Sequence, residues 1–434
     1  MPCAALVPQS IVLVAAETPP IRHRSHATGA ALLNMLWLAW LVAVDATCNP
    51  EGFDAKNDHL DMARWRVHAN PSVDTARKNR AFGAYKFSTT DGTETFPVAF
   101  GMVEGWPWPH RCDATKYKRL HATVRFRNTD VAVASYPKTG TTWVEQIVLL
   151  LLHGADAKLD PASRNTYNAR RNPLGCVWLE PMVASARRAR MSINQFADLP
   201  APRVLKSHAP FDAFLGTRGS NDNASLANLR ETGLKVIYVA RNPKDAAVSM
   251  YFQRAPLPGK RNNIKRRMPM DAWCALYVKG YVSCGAFVDH VARWHAVSRE
   301  AASPVLFVTY EELKQNPAKG VRRIADHLGL ERSEADINAV VRLSSFDAMR
   351  AQADKAPRPG DARNAKYATL TNGAVDSKSA SSHLRQGGAG TWVQHFSPLL
   401  SKQFDAAYRS AMAVAAARLG GPPPAFDFGH GCVM

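Results

Sequence analysis

No two of the seven cysteines stand at CxxC spacing, and an odd number of scattered thiols (Cys3, Cys48, Cys112, Cys176, Cys274, Cys284, Cys432) suits neither a disulfide framework nor a tetrahedral zinc site. A reducing compartment follows, and a cytoplasmic location is expected. The 14 histidines include no HExxH and form no metal constellation, so no metal is expected. Acids are scarce: 36 against 55 lysines and arginines, a formal charge of +19. That balance favours anionic partners such as nucleotides, nucleic acid or a membrane surface, or else simply solvates a basic surface. No arginine-rich run is interleaved with aromatics, and no zinc-finger, homeodomain or RNA-recognition signature occurs, so no nucleic-acid partner is expected.

Long apolar runs are also missing. The stretch AALLNMLWLAWLVAV at 30–44 falls short of the roughly 20 residues that span a bilayer, and it carries Asn34, so no stable membrane span is expected. Its basic flank (IRHRSH) and the following VDA give it the form of a signal, a transit segment or an unused leader, which leaves a secretory or organellar route open. Residues 1–75 are therefore set aside as an N-terminal extension of low order. The expected domain covers 93–420, with a tail at 421–434.

What is present is a chain of 434 residues, 46% of them hydrophobic, enough to bury a sizeable core. From about residue 97 it alternates strands and helices. VAVAS at 131–135 is a short apolar run, RVLKSH at 203–208 is a strand candidate, and LKVIYVA at 234–240 is a stronger one, too continuously apolar for a one-sided surface strand, a pattern that VLFVT at 305–309 repeats. Between them, 142–152 and 284–296 have helical spacing, the second placing Phe287, Val291 and Trp294 on one face. Asp289, His290 and His295 on that helix read as surface or packing residues. The fold class expected is α/β: a P-loop-like three-layer fold, a central, mostly parallel sheet with helices on both faces and ligands at the carboxyl ends of the strands. Residues 216–233, 256–267 and 355–382 read as loops or insertions, and no internal repeat is evident.

YPKTGTTW at 136–143 follows the first of these strands. A Walker loop, G-x-x-x-x-G-K-[ST], has its lysine after the second glycine, whereas Lys138 precedes the only glycine, Gly140. Pro137 fixes the turn, Gly140 lets the backbone approach a ligand, and the amides of 139–142 can converge on an anion at a helix N-terminus. Lys138 adds a charge, and Thr141 and Thr142 add hydroxyl donors. A capped strand-to-helix turn has the same appearance. A second element, ARNPKDAAVS at 240–249, runs from a strand into a helix, with Pro243 suited to its first turn. Arg241 and Ser249, eight residues apart, can face one pocket and suit a second phosphate. In RVLKSH, Lys206 and His208 alternate onto one face.

These elements resemble the cytosolic sulfotransferase family, whose members move a sulfonate group from 3′-phosphoadenosine 5′-phosphosulfate to an acceptor hydroxyl or amine. YPKTGTTW resembles the family's 5′-phosphosulfate loop, implying that Lys138, Thr139, Gly140, Thr141 and Thr142 hold the donor, with Trp143 beside the adenine. RNPKDAAVS resembles its 3′-phosphate element and implies Arg241 and Ser249. VTYEE at 308–312 is similar to the segment whose tyrosine, here Tyr310, lies at the adenine. SSFDAM at 344–349 follows in matching order with Ser344, Phe346 and Met349. RQGGAGTW at 385–392 resembles the last signature, with Arg385, Gln386 and Gly387.

The resemblance spans roughly residues 95–400 and implies His208 as catalytic base, with Lys138 and Lys206 stabilising charge in an in-line, metal-free displacement without a covalent enzyme intermediate. Two positions depart from it, Gln386 where the family has lysine and Thr391 where it has aspartate. The lost cation is expected to weaken donor affinity by about 1 to 2 kcal/mol.

Two other functions fit parts of the pattern. A P-loop kinase of small molecules would need the GK[ST] tail and a strand-end aspartate for Mg²⁺, neither of which is evident. A catalytically silent nucleotide-binding relative is suggested only by Gln386 and Thr391. The expected partner is a small-molecule acceptor; the loops that would shape its pocket carry no pattern, and no dimerisation signal stands near the C-terminus.

Overall fold

The computed structural model describes residues 65–69, 82–89, 95–103, 106–108, 120, 123–156, 176–182, 193–214, 222–254, 267–355 and 386–419. All belong to one compact unit, Asp58–Met434. Four antiparallel strands come first: β1 (Trp65–Ala69), β2 (Phe82–Thr89), β3 (Thr95–Val103) and β4 (Trp106–Trp108), in the order β1-β2-β3-β4. Strand β1 falls within residues 1–75, set aside from the sequence as an extension of low order, and β2 precedes the point from which the sequence was read for strands.

The second sheet has five strands: β5 (Val131–Ser135), β6 (Cys176–Trp178), β7 (Val204–Ser207), β8 (Lys235–Ala240) and β9 (Val305–Thr309). Their order is β6-β7-β5-β8-β9, and every pairing is parallel. The apolar runs are continuous because both faces are covered: all residues of β5 and β7, and five of the six in β8, are buried.

Alternation sorts these side chains into two cores. Ala132, Ala134, Leu205, Val236 and Tyr238 pack with the helices Met270–Val278, Phe287–Arg299 and Pro398–Arg418. Val131, Val133, Val204, Ile237 and Val239 pack on the other face with Thr141–His153, Pro317–Leu328 and Glu334–Leu343. Each buried valine, leucine or isoleucine among them contributes about 1.5–3 kcal/mol. This is the expected three-layer arrangement, with a crossover helix at 287–299 close to the expected 284–296.

Residues 222–232, expected in a loop, form a helix. The reason is packing: Leu226 and Leu229, three apart, are both buried against the first core, which anchors an otherwise polar segment. Nearly all of 256–267, and all of 356–382, lie outside the described residues.

The long helix Pro398–Arg418 is tied to the helix Pro243–Arg254 by a buried cation. Lys244 Nζ donates to Asp405 Oδ2 at 2.6 Å and Ser401 Oγ at 2.8 Å, and sits 4.1 Å from the ring centre of Trp392. Among the described residues no helix is long and apolar enough to cross a membrane.

Candidate active site

The carboxyl ends of β5, β7, β8 and β9 open onto one cavity of about 380 Å³. Order β6-β7-β5-β8-β9 makes β5 the central strand, from which the chain departs to both sides, and such a point leaves a crevice above the sheet. The sequence elements singled out as anion-binding sit there together.

From β5 the chain turns through Tyr136-Pro137-Lys138-Thr139-Gly140 into the helix Thr141–His153. Lys138 takes φ 74° and Gly140 φ 112°, and a Cβ on Gly140 would lie 2.8 Å from Tyr310 Cδ2. Only glycine combines that left-handed backbone with that approach. No side chain caps the helix; the Trp143 amide turns back to Gly140 O at 2.9 Å, and the amides at the very start of the helix face a ligand position. Lys138, Gly140, Thr141, Thr142 and Trp143 line the cavity. The Thr139 side chain does not: it is fully buried, and its hydroxyl lies 2.8 Å from both Tyr136 O and Val239 O, bracing the loop on β8.

On the other side of β5, β8 ends at Ala240 and the helix Pro243–Arg254 begins, capped by Asn242, whose Oδ1 accepts from the Lys244 amide at 2.9 Å. Arg241 and Ser249 both line the cavity, as their eight-residue spacing requires. Arg241 lies 4.5 Å above the Tyr310 ring, donates to Gly388 O at 2.7 Å, and has Asp245 at 3.5 Å; its Nε is buried with no hydrogen-bond partner among the described residues. Its Nη1 reaches Lys138 O at 3.5 Å, so the two anion elements are neighbours across one cavity.

The 386–392 segment closes this end. Tyr310 Oη donates to Gly387 O at 2.7 Å, and Asp245 accepts from the amides of Gly390 (2.7 Å) and Trp392 (2.9 Å) and from the Thr391 hydroxyl (3.1 Å). Ser344, Phe346, Met349, Gln386, Gly387 and Thr391 all reach the cavity. Trp143 meets Tyr310 edge-on at 5.2 Å. Arg385 lies outside the described residues.

At the end of β7, Lys206 and His208 share the cavity. Lys206 Nζ is 3.0 Å from Glu145 Oε1 and 5.0 Å above the Trp178 ring. His208 Nδ1 lies 2.9 Å from Ser135 O and 3.2 Å from Ser135 Oγ. A carbonyl only accepts, so Nδ1 carries a proton, and in the neutral ring the lone pair is on Nε2. Ser135 Oγ also bonds Thr141 Oγ1 at 2.6 Å, which connects the base candidate to the phosphate loop.

Several polar residues around the site were given no role from the sequence. Glu311, from the helix Tyr310–Gln315, accepts from the Asn242 amide at 2.9 Å; burial pushes its carboxyl up to about 7 despite that bond and the pull of Arg241. Glu180 accepts from Ser207 Oγ at 2.7 Å and from the His208 amide. His290, read as surface or packing, is buried: Tyr238 Oη donates to its Nδ1 at 2.8 Å, and its Nε2 reaches His208 O at 3.2 Å. Burial holds its pKa near 4. Its place three residues after Phe287, on the apolar face of the helix, was a legible signal for burial. Asp289 pairs with exposed Arg418, and His295 packs edge-on to Phe307 at 5.0 Å, with its pKa lowered to about 4 by burial and by Arg299.

Residues 128–415 match the sulfotransferase domain family. Sulfotransferase 2B1 of Mus musculus is 30% identical over 290 residues, 67% of this chain and 73% of its own length. Sulfotransferase 1B1 of Canis lupus familiaris is 30% identical over 322 residues, 73% of this chain and 90% of its own. Among solved structures, mouse sulfotransferase SULT7A1 complexed with PAP shares the fold, with TM-score 0.51 and 21% identity over 74% of this chain and 98% of that one. Retinol dehydratase in complex with retinol and PAP has TM-score 0.52 and 20% identity over 80% and 96%. The loop after β5, the arginine after β8 and the family match over two thirds of the sequence agree: this chain belongs to the sulfotransferase family and is a transferase.

Proposed function

We propose that the chain transfers a sulfonate group from 3′-phosphoadenosine 5′-phosphosulfate to a hydroxyl, or an amine, of a small-molecule acceptor, with His208 as general base. The observation that carries this reading is the paired anchorage: Lys138 with the uncapped amides of the helix Thr141–His153, and Arg241 with Ser249, open on one cavity that also contains His208 and Lys206. The residues fit a bisphosphorylated adenosine. Gly140 keeps the backbone clear of a side chain, Arg241 Nε is unpartnered, and Trp143, Tyr310 and Phe346 offer aromatic surface to a base. Two structural neighbours were solved with PAP, one also holding retinol, an apolar alcohol.

The donor supplies the sulfonate and its leaving phosphate. His208 Nε2 takes the acceptor's proton as the acceptor oxygen bonds to sulfur and the bond from sulfur to the phosphate oxygen breaks. Lys138 and Lys206 are placed for charge that gathers on the sulfonate oxygens and the departing phosphate. The Ser135 carbonyl keeps the imidazole proton on Nδ1, so the base is ready without rearrangement.

The test is mass spectrometry of an extract incubated with the protein and donor, read for products heavier by one sulfonate. His208→Ala should lower the rate of that product by about 10²–10⁴-fold with donor affinity unchanged within about twofold. Full turnover in the alanine variant would remove His208 from the role.

A further inference from the structure

We propose that Glu180 is a positioning residue for His208, holding the peptide of the base from the end of the neighbouring strand. This rests on His208 being the base. Strand β7 ends at Ser207, so the amide of His208 has no ladder partner. Glu180 follows β6 by two residues and reaches back to supply one. A single oxygen, Oε1, accepts from the His208 amide and from Ser207 Oγ, and Ser207 Oγ in turn accepts from the Ala209 amide at 3.0 Å. The carboxylate thereby sets the path of three consecutive residues as they leave the sheet.

The other tethers of His208 come from different elements. Its carbonyl accepts from His290 Nε2 at 3.2 Å, and its ring Nδ1 donates to Ser135 O at 2.9 Å. Amide, carbonyl and ring are thus fixed by the end of β6, by the helix Phe287–Arg299 and by β5 respectively. Glu180 is the only one of the three brought by the edge strand, and it is a costly one. Burial pushes its carboxyl above the ordinary value, against the bonds from Ser207 and His208 and the attraction of Lys206, and its Oε2 is buried with no hydrogen-bond partner among the described residues. An apolar residue would fill that space at lower cost if packing were the only need. A base displaced by about 1 Å can lose 10²-fold in rate, which is a reason to keep such a group.

The charged and titratable groups around the imidazole are Lys206 on its own strand, Glu145 on the helix Thr141–His153 paired with Lys206, His290, and Glu180. Removing the charge of Glu180 while keeping an acceptor oxygen makes the imidazolium less favourable, which moves the acidic limb of kcat/KM to lower pH.

The experiment measures kcat from sulfonated product, the pH profile of kcat/KM, and the Kd of 3′-phosphoadenosine 5′-phosphate for full-chain variants. Glu180→Ala should lower kcat at least about tenfold with that Kd within about twofold, and Glu180→Gln should restore most of kcat while moving the acidic limb down. A Glu180→Ala protein that keeps kcat within tenfold, or that loses nucleotide binding along with turnover, overturns the proposal. If Glu180→Ala does not fold, Glu180→Gln decides alone: an unmoved acidic limb overturns it and a lowered one supports it. The His208→Ala variant separates the two readings, because an inactive His208→Ala beside a fully active Glu180→Ala sinks only the positioning role, and an active His208→Ala sinks the base itself.

Discussion

The two ends of the cavity are built by different means. At the β5–β7 end, Lys206, Ser207 and His208 are held by groups from elements adjacent in the sheet or packed on it: Glu145, Glu180, Ser135 and His290. At the β8–β9 end, Arg241 leans on the carbonyl of Gly388, and Asp245 gathers the amides of Gly390 and Trp392, from a segment about 145 residues away in sequence. The first end is tied within the sheet and to the helices packed on it, across 27 to 82 residues of sequence. The second is closed by a loop that returns from far along the chain, at the entropic cost such closure carries. Changes at the first end should therefore act on turnover, and changes at the second on donor binding.

The strongest way to break this contrast is Arg241→Ala. Loss of charge-assisted hydrogen bonds to a phosphate is worth about 1.5–3 kcal/mol, so the donor Kd should rise about 10–100-fold while kcat at saturating donor changes much less. Equal losses in both would show that the two ends are not separable. Isothermal titration with the bisphosphate product and initial rates settle it. Next in size is Gly387→Ala. A Cβ there would lie 2.2 Å from Phe346 Cδ2, on a backbone at φ 64°, so the loop must shift, and an increase of about tenfold in donor Kd is expected with kcat held.

The third test reads stability rather than binding and concerns Glu311. Its folded pKa of about 7 stands above the ordinary carboxyl value of 4.5, so the folded state binds more protons between those limits. Its contribution to stability is therefore full below about pH 4.5 and falls away as pH rises to about 7, by up to about 3 kcal/mol. Thermal melts of the wild type from pH 5 to 8 should show a fall in Tm of several degrees that Glu311→Gln lacks. A parallel pair of curves would refute the raised pKa of Glu311.

Those tests also bear on what the sequence makes visible. The parallel sheet was legible because VAVAS, KVIYVA and VLFVT are apolar without interruption, which only a strand covered on both faces tolerates. YPKTGTTW and RNPKDAAVS could be placed at the cavity because each follows such a strand. The roles of Glu145, Glu180 and Glu311 could not: each is a helical carboxylate whose partner is fixed only when β6 pairs with β7, or when β9 delivers Tyr310 beside Arg241. The helix at 222–232 was hidden for a related reason, since two buried leucines in a polar segment have meaning only once a core exists to receive them.

Thr391, singled out as a departure from the family pattern, proves to sit on Asp245, where its hydroxyl donates to a carboxylate at 3.1 Å. The position is occupied by a working donor.

The clasp between Lys244 and the helix Pro398–Arg418 has a consequence for the order of events during synthesis. An ammonium buried to 1% exposure waits on Asp405, 161 residues downstream, and Arg241 waits likewise on Gly388. The donor end of the cavity is therefore assembled from residues that are translated far apart, and its wall depends on the last helix being in place.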